Sequence, residues 1–355
     1  MQDNIYFFDI TDNNLLSSEK CRFNAAQKPR TDTLKTIKDI GIKEIILYSQ
    51  SIFNVKSKIK RRLLIEYNNI YLLHQYNSLC SKIKDSIIIV QYPFINSGRF
   101  NFLKRIKKQN NKIILFIHDI ESVRHNKCIQ DEIDLLNLSD VCILHSTAMI
   151  NNLYKLGLKT RAIPLGLFDY RSNLVVKNDT DLKNIRMIFA GNLDKSDFIK
   201  KLDKLNLCKS FQINMYGKES KNIRTSSFIH YKGKFEADKF DMIQGNWGLV
   251  WDGHDIDSCT GNLGEYLKFN APFKASLYLA ANKPIITWSR SAIAEYVNKY
   301  DLGICVDSLG DIKYIIEKMQ DSKLNAIRTA VEEMSIKVRN GMMLRNALNK
   351  ALSLI

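Results

Sequence analysis

The strongest constraint on this chain is a rhythm of short, continuous runs of Ile, Val, Leu and Phe separated by longer helix-like stretches. In the first half the runs predict strands at Ile5–Ile10, Glu44–Tyr48, Ile70–Leu73, Ile87–Gln91, Lys112–His118, Val141–His145 and Arg161–Pro164. Helical patterns fall between them near Thr31–Ile40, Phe53–Tyr67, Arg99–Gln109, Lys127–Asn137 and Thr147–Leu156. A strand that is apolar at every position, rather than at every second one, is covered on both faces. That is the signature of a mostly parallel sheet between layers of helices.

The second half repeats the rhythm. Strands are predicted at Arg186–Ala190, Gln212–Tyr216, Phe228–Tyr231, Trp247–Trp251, Pro284–Trp288 and Gly303–Val306, with helices near Ser196–Leu205, Ala237–Gln244, Lys274–Ala281, Ile293–Lys299 and Asp311–Lys318. A chain of 355 residues exceeds what one core usually serves. Two α/β domains are therefore expected, residues 1–167 and 168–336, joined through the polar stretch Phe168–Ile185. The tail Leu324–Ile355 is helical in pattern.

Several function classes drop out early. Neither G-x-G-x-x-G nor G-x-x-x-x-G-K-[ST] occurs, which removes NAD-type and P-loop sites. The seven cysteines are scattered without a C-x-x-C, against a disulfide framework or structural zinc. No secretory leader is expected at the N-terminus. Runs such as Ile87–Val90 and Ile113–Ile117 fall far short of the ~20 residues of a membrane span. A reduced, cytoplasmic protein is expected.

The formal net charge of +16 points to anionic partners. Two clusters stand out, Lys56, Lys58, Lys60, Arg61 and Arg62, then Lys104, Arg105, Lys107, Lys108 and Lys112. Each is interleaved with apolar residues (Ile59, Leu63, Leu64; Phe100, Leu103, Ile106), as in amphipathic helices with basic faces. Such faces suit a solvated surface, phosphorylated acceptors or peripheral contact with an anionic membrane. Nucleic acid is not expected, because only Phe100 and Phe102 could stack bases near the second cluster.

The segment Gly248–Trp288 carries the chemistry. An apolar strand runs into a polar loop with Asp252, Asp255, Asp257, Gly261 and Gly264, followed by Pro272, a helix opening at Lys274, and another strand. Strand, long loop and helix start is how α/β proteins receive a phosphorylated ligand. Lys274 stands against the helix dipole, a conflict of roughly 0.3–1 kcal/mol. Both would be served by one anion; the bland alternative is a lysine that snorkels to solvent.

This segment resembles two related bacterial groups. One is the glucosyltransferase 3-type enzymes that extend glycans on serine-rich adhesins; the other is the β-1,6-galactofuranosyltransferases of O-antigen synthesis. The resemblance rests on the WDG at Trp251–Gly253, Ser258-Cys259, Gly261, the stretch Gly264–Asn270, Pro272, Lys274 and Ser276–Leu279. It extends to Lys28, Arg30 and Asp32, to His118-Asp119-Ile120 with Arg124, and to Ala190–Leu193. Two departures are plain: the usual Pro-His-Lys reads Pro272-Phe273-Lys274, and the usual paired asparagines read Asn270-Ala271. The resemblance implies a GT-B fold, two doubly wound Rossmann-like domains facing across a cleft, with helices at about 337–355 crossing back onto the first domain.

It also implies transfer of a hexose, glucose or galactofuranose, from a UDP-sugar to a hydroxyl of a lipid- or protein-linked glycan. No metal is expected, and a homo-oligomer is. The donor side is then Gly191, Asn192 and Lys195 after one strand, Asn270, Phe273, Lys274 and Ser276 at the helix start, and Tyr216 and Tyr231 at strand ends. Ser17 and Ser18, in the loop Thr11–Pro29, are placed to cover the donor phosphates. The acceptor side is His118-Asp119, with Asp119 as first candidate for a general base and His118 and Glu121 behind it. Ordinary turns, core-edge packing and helix capping are the structural alternatives for these residues. An epimerase of the same fold and a non-enzymatic binder of anionic polymers are the competing functions.

Overall fold

A computed structural model describes residues 4–12, 27–50, 55, 57–94, 99–176 and 181–355. Two six-stranded sheets, parallel throughout, organise the chain. The first contains β1 (Ile5–Asp12), β2 (Lys43–Ser49), β3 (Ile87–Tyr92), β4 (Lys112–Ile117), β5 (Val141–Leu144) and β6 (Arg161–Pro164), in the order 2-1-3-4-5-6. The second contains β7 (Ile185–Ala190), β8 (Phe211–Tyr216), β9 (Ile229–Tyr231), β10 (Trp247–Val250), β11 (Ile285–Trp288) and β12 (Gly303–Val306), in the order 12-11-10-7-8-9. Both orders reverse direction once, between β1 and β3 and between β7 and β10. At these points the helices on either side leave a crevice at the carboxyl edge.

Helices α1 (Lys28–Asp39), α2 (Lys58–Lys82), α3 (Arg99–Lys107), α4 (Glu121–His125), α5 (Gln130–Leu136) and α6 (Thr147–Lys155) connect the strands of the first sheet. Phe8, Ile88, Val90, Ile113, Leu115 and Ile117 point to one face, under α2, α3, α5 and α6. Phe7, Ile89, Ile114, Phe116 and Ile143 point to the other, in a core continuous with that of the second sheet. The expected strand at Ile70–Leu73 is instead part of α2. Asn68, Leu72, Tyr76 and Cys80 are its buried positions, a four-residue spacing that only a helix turns to one side.

In the second half, α7 (Gly261–Tyr266), α8 (Phe273–Ala280), α9 (Ala294–Lys299) and α10 (Ile312–Lys318) are α-helical. The helix expected near Ser196–Leu205 is a 3-10 helix, Asp197–Lys204, and the one expected over Ala237–Gln244 shrinks to a turn at Phe240–Met242. The polar stretch after residue 167 starts as buried structure: Phe168, Asp169, Tyr170 and Arg171 are all inside. Helix α11 (Asp321–Arg339) packs on α8, and α12 (Met342–Leu352) lies on β5, β6 and α1 of the first sheet. The carboxylate of Asp169 ties α12 in place by accepting from the amides of Met343 and Leu344, each at 2.9 Å.

Candidate active site

At the crevice of the second sheet, β7 is followed by Gly191-Asn192 and β10 by Trp251-Asp252. The Lys274 side chain is only 14% exposed and turns inward between them. Its Nζ donates to Asp252 Oδ2 at 2.9 Å and to the carbonyl of Trp251 at 3.1 Å, and stands 4.6 Å from the centre of the Phe189 ring. Asp252 also accepts from Ser196 Oγ at 3.2 Å, so one carboxylate joins the loops after β7 and β10. A carboxylate at the start of α8 offsets the repulsion between Lys274 and the helix dipole. The lysine does not snorkel to solvent.

The loop geometry requires glycine at the third position of the WDG. Gly253 has φ +108, and a Cβ there would lie 2.3 Å from the carbonyl oxygen of Thr260. The acids of Asp255-Ile256-Asp257 diverge: Asp255 pairs with Lys201, and Asp257 accepts from Ser308 Oγ at 3.0 Å. Among the described residues no group of three or more His, Cys, Asp and Glu converges as metal ligands.

The other donor-side candidates are dispersed. Asn192 shapes its own turn, accepting from the amide of Asp194 at 3.1 Å, with Lys195 exposed beside it. Tyr216 is buried, its hydroxyl accepting from the amide of Gln244 at 2.7 Å; the Tyr231 hydroxyl donates to the carbonyl of Gly217 at 3.1 Å. Both hydroxyls are committed to their own domain. Ser276 is buried on the inner side of α8. The Phe273 ring is stacked on Tyr170, 5.0 Å between centres, and packs edge-on with Phe168, so it is committed to the aromatic cluster that follows the first sheet. Asn270 is half-buried, and its Oδ1 has no hydrogen-bond partner. Ser17 and Ser18 lie outside the described residues.

The crevice of the first sheet holds a buried polar chain. Asp9 Oδ1 accepts from Arg30 Nη2 at 2.6 Å and Asp9 Oδ2 from Gln91 Nε2 at 2.7 Å; Gln91 Oε1 pairs with His118 Nε2. Because the Gln91 amide nitrogen is spent on Asp9, its oxygen faces His118 and places the imidazole proton on Nε2. Nδ1 is left as a buried lone pair without a partner. Burial, with Arg30 and His145 nearby, holds His118 well below the usual histidine range, so the ring is neutral at pH 7.

His145 sits one strand over, its Nδ1 accepting from the amide of Ala271 at 3.2 Å, and burial lowers its pKa too. His118 stacks on Phe168 at 5.7 Å and His145 meets the same ring edge-on at 5.0 Å. Phe168 packs in turn on Phe273, the neighbour of Lys274. The two crevices thus face each other across one aromatic bridge.

Asp119 is not a free base here. Its Oδ2 pairs with Arg124 and its Oδ1 accepts from the hydroxyl of Tyr266, which reaches over from α7 and also accepts from the amide of Ile120 at 3.2 Å. Glu121 is exposed and pairs with His125 at 3.1 Å. A second tie runs through Lys28, whose Nζ meets Asp32 at 2.7 Å and, in the other domain, Asp238 at 3.0 Å. Asp9, Gln91 and His145 join the site without any mark in the sequence motifs, and Asp252 and Tyr266 take roles there beyond their membership of the motif segment. Three of them share a signal with His118, a polar residue closing an apolar strand. Tyr266 carries no such signal, because its partners lie 146 and 147 residues away in sequence.

Comparison with known proteins shows the family and the fold. The sequence models described as glucosyltransferase 3-like, N-terminal domain and C-terminal domain match residues 9–167 and 187–351. The β-1,6-galactofuranosyltransferase WbbI of Escherichia coli (strain K12) is 27% identical over 282 residues, covering 77% of this chain and 81% of that protein. Among solved structures, sucrose-phosphate synthase from Thermosynechococcus elongatus superposes with a TM-score of 0.60 at 11% identity, covering 99% of this chain and 100% of that one. An α,α-trehalose-phosphate synthase (UDP-forming) from Burkholderia vietnamiensis superposes with a TM-score of 0.58 at 9% identity, covering 100% of both. At such identities the structural matches speak to the fold, which is GT-B. The chain belongs to the glucosyltransferase 3-like family and is a glycosyltransferase.

Proposed function

We propose that this glycosyltransferase moves a hexose from a UDP-sugar to a hydroxyl of a lipid- or protein-linked glycan, on the cytoplasmic side, in the assembly of a cell-surface polysaccharide or glycoprotein. The observation that carries the proposal is the Lys274 ammonium, fixed by Asp252 at the crevice of the second sheet and at the start of α8. A leaving diphosphate seated there meets a preorganised cation and a helix N-terminus, with no reorganisation at the moment of bond breaking. Galactofuranose and glucose are the two sugars supported, the first by the name of the Escherichia coli relative and the second by that of the family. The acceptor belongs at the opposite crevice, near His118. There the bare Nδ1 and, once Tyr266 lets go, the carboxylate of Asp119 are the groups able to take a proton.

The test is a donor screen against UDP-glucose, UDP-galactose, UDP-GlcNAc and UDP-galactofuranose with a glycan acceptor, read by UDP release. Acceptor-dependent release with one hexose donor is expected. Conversion of a UDP-sugar into its epimer without acceptor would overturn transfer in favour of the epimerase. Calorimetric UDP binding should persist in EDTA; loss that magnesium restores would show that the diphosphate site needs a metal.

A further inference from the structure

Helix α2 departs from the expected pattern of apolar residues inward and basic residues outward. Its N-terminal half turns apolar side chains to solvent: Ile59 is 74% exposed, Leu63 65%, Tyr67 52% and Ile70 71%. The spacing of four, four and three residues puts all four on one stripe, spanning about 17 Å of helix axis. The side of α2 that packs on the sheet is supplied by Asn68, Leu72, Tyr76 and Cys80, so the exposed stripe is surplus to the core.

Two of the cations in the first turns flank the stripe, Lys60 on one side and Arg62 on the other. Lys58, Lys60, Arg61 and Arg62 occupy the first turns of α2, and Glu66 is the sole acid in the helix. Neighbouring α3 obeys the expected pattern, burying Phe102, Leu103 and Ile106 and exposing Lys104, Arg105 and Lys107, with Lys108 exposed just past its end. Between the two helices lies a cleft of about 450 Å³ lined by Leu73, Asn77, Asn101, Lys104, Arg105 and Lys108 among others. A row of exposed aliphatic and tyrosine side chains with lysines and arginines along its flanks is complementary to one surface chemistry. The apolar groups enter the acyl boundary, and the cations meet anionic headgroups.

We propose that α2 and α3 form a docking face for an anionic lipid bilayer. Its apolar anchor is Ile59, Leu63, Tyr67 and Ile70, and its headgroup contacts include Lys104, Arg105 and Lys108. A second copy of the chain fits the same face less well. Four anchor residues are few against the roughly 20–30 residues a side of a stable interface. A parallel pairing would also oppose the two basic ends.

The full-length protein is tested by co-sedimentation with vesicles of equal parts phosphatidylcholine and phosphatidylglycerol, and with phosphatidylcholine alone, at physiological salt. Binding to the mixed vesicles only is expected. Leu63→Ser with Ile70→Ser should weaken it at least tenfold. Lys104→Gln with Lys108→Gln should weaken it about fivefold per charge. Both variants should keep the wild-type melting temperature and turnover on a soluble acceptor. Failure of the wild type to bind, or undiminished binding by both variants, would overturn the proposal. So would a solution dimer that the Leu63→Ser, Ile70→Ser variant dissociates, since a second copy would then cover the stripe.

Discussion

At the scale of single residues, Lys274 and Asp119 show how differently two charged side chains can stand in one cleft. Lys274 is inward, held by one carboxylate and one carbonyl, which are two of the three bonds an ammonium can donate. Lys274→Ala should lower turnover by roughly 10²–10³ while leaving the melting temperature within a few degrees. A variant with near wild-type turnover would remove the lysine from leaving-group stabilisation. Asp119 has both oxygens occupied. If it is the base of an inverting transfer, Asp119→Asn should cost about 10²–10⁴ in turnover and Tyr266→Phe far less. Equal losses in the two variants would make Asp119 an anchor of the domain contact and nothing more.

At the scale of elements, α12 matters because it carries the chain back onto the first sheet, and Asp169 holds its first turn. Asp169→Ala should destabilise the protein by roughly 1–2 kcal/mol, the scale of a lost helix cap, seen as a lower urea midpoint. Burial pushes the Asp169 carboxyl up to about 7 and that of Asp32, beside Lys28, to about 6. The unfolded chain ionises both near the ordinary carboxylate value of 3.8, so between about pH 4 and 7 the folded state binds more protons and raising the pH favours unfolding.

His118 and His145 act in the opposite sense, losing stability as the pH falls below 6.5, so the net slope of the wild type blends the two. The difference between wild type and Asp169→Asn isolates the carboxyl. The variant should be most handicapped at about pH 4 and below, close to the unfolded value, and recover relative to wild type by about pH 7, with most of the change falling between those two values. Parallel urea midpoints at the two pH values would show that Asp169 is already ionised when folded.

At the scale of the molecule, the polar and aromatic contacts that join the two halves over their shared core include Tyr266 on Asp119, Lys28 on Asp238, the Ala271 amide on His145, and the stack of His118, Phe168 and Phe273. Lys28 is nearly buried, and its removal leaves Asp32 inside without its cation. Lys28→Met should therefore destabilise strongly at pH 8, by about 3–5 kcal/mol for a stranded buried charge. The loss should be much smaller at pH 5, where Asp32 can take a proton. A loss independent of pH would mean that Lys28 matters for packing alone.

What could be read along the chain was whatever depends on neighbours in sequence. Continuous apolar runs announced buried parallel strands, and the glycine-punctuated loop before Lys274 announced a long turn between a strand and a helix start, because both patterns are local. The tertiary structure decided what depends on partners far apart. It committed Asp119 to Tyr266 and gave Lys274 its carboxylate. It packed Phe273 against Phe168 and Tyr170 and left the stripe on α2 facing out. None of these could be read from spacing, since a hydrogen bond or a covered face is settled by what the fold brings beside it, and residues 119 and 266 become neighbours only once two sheets have formed and docked.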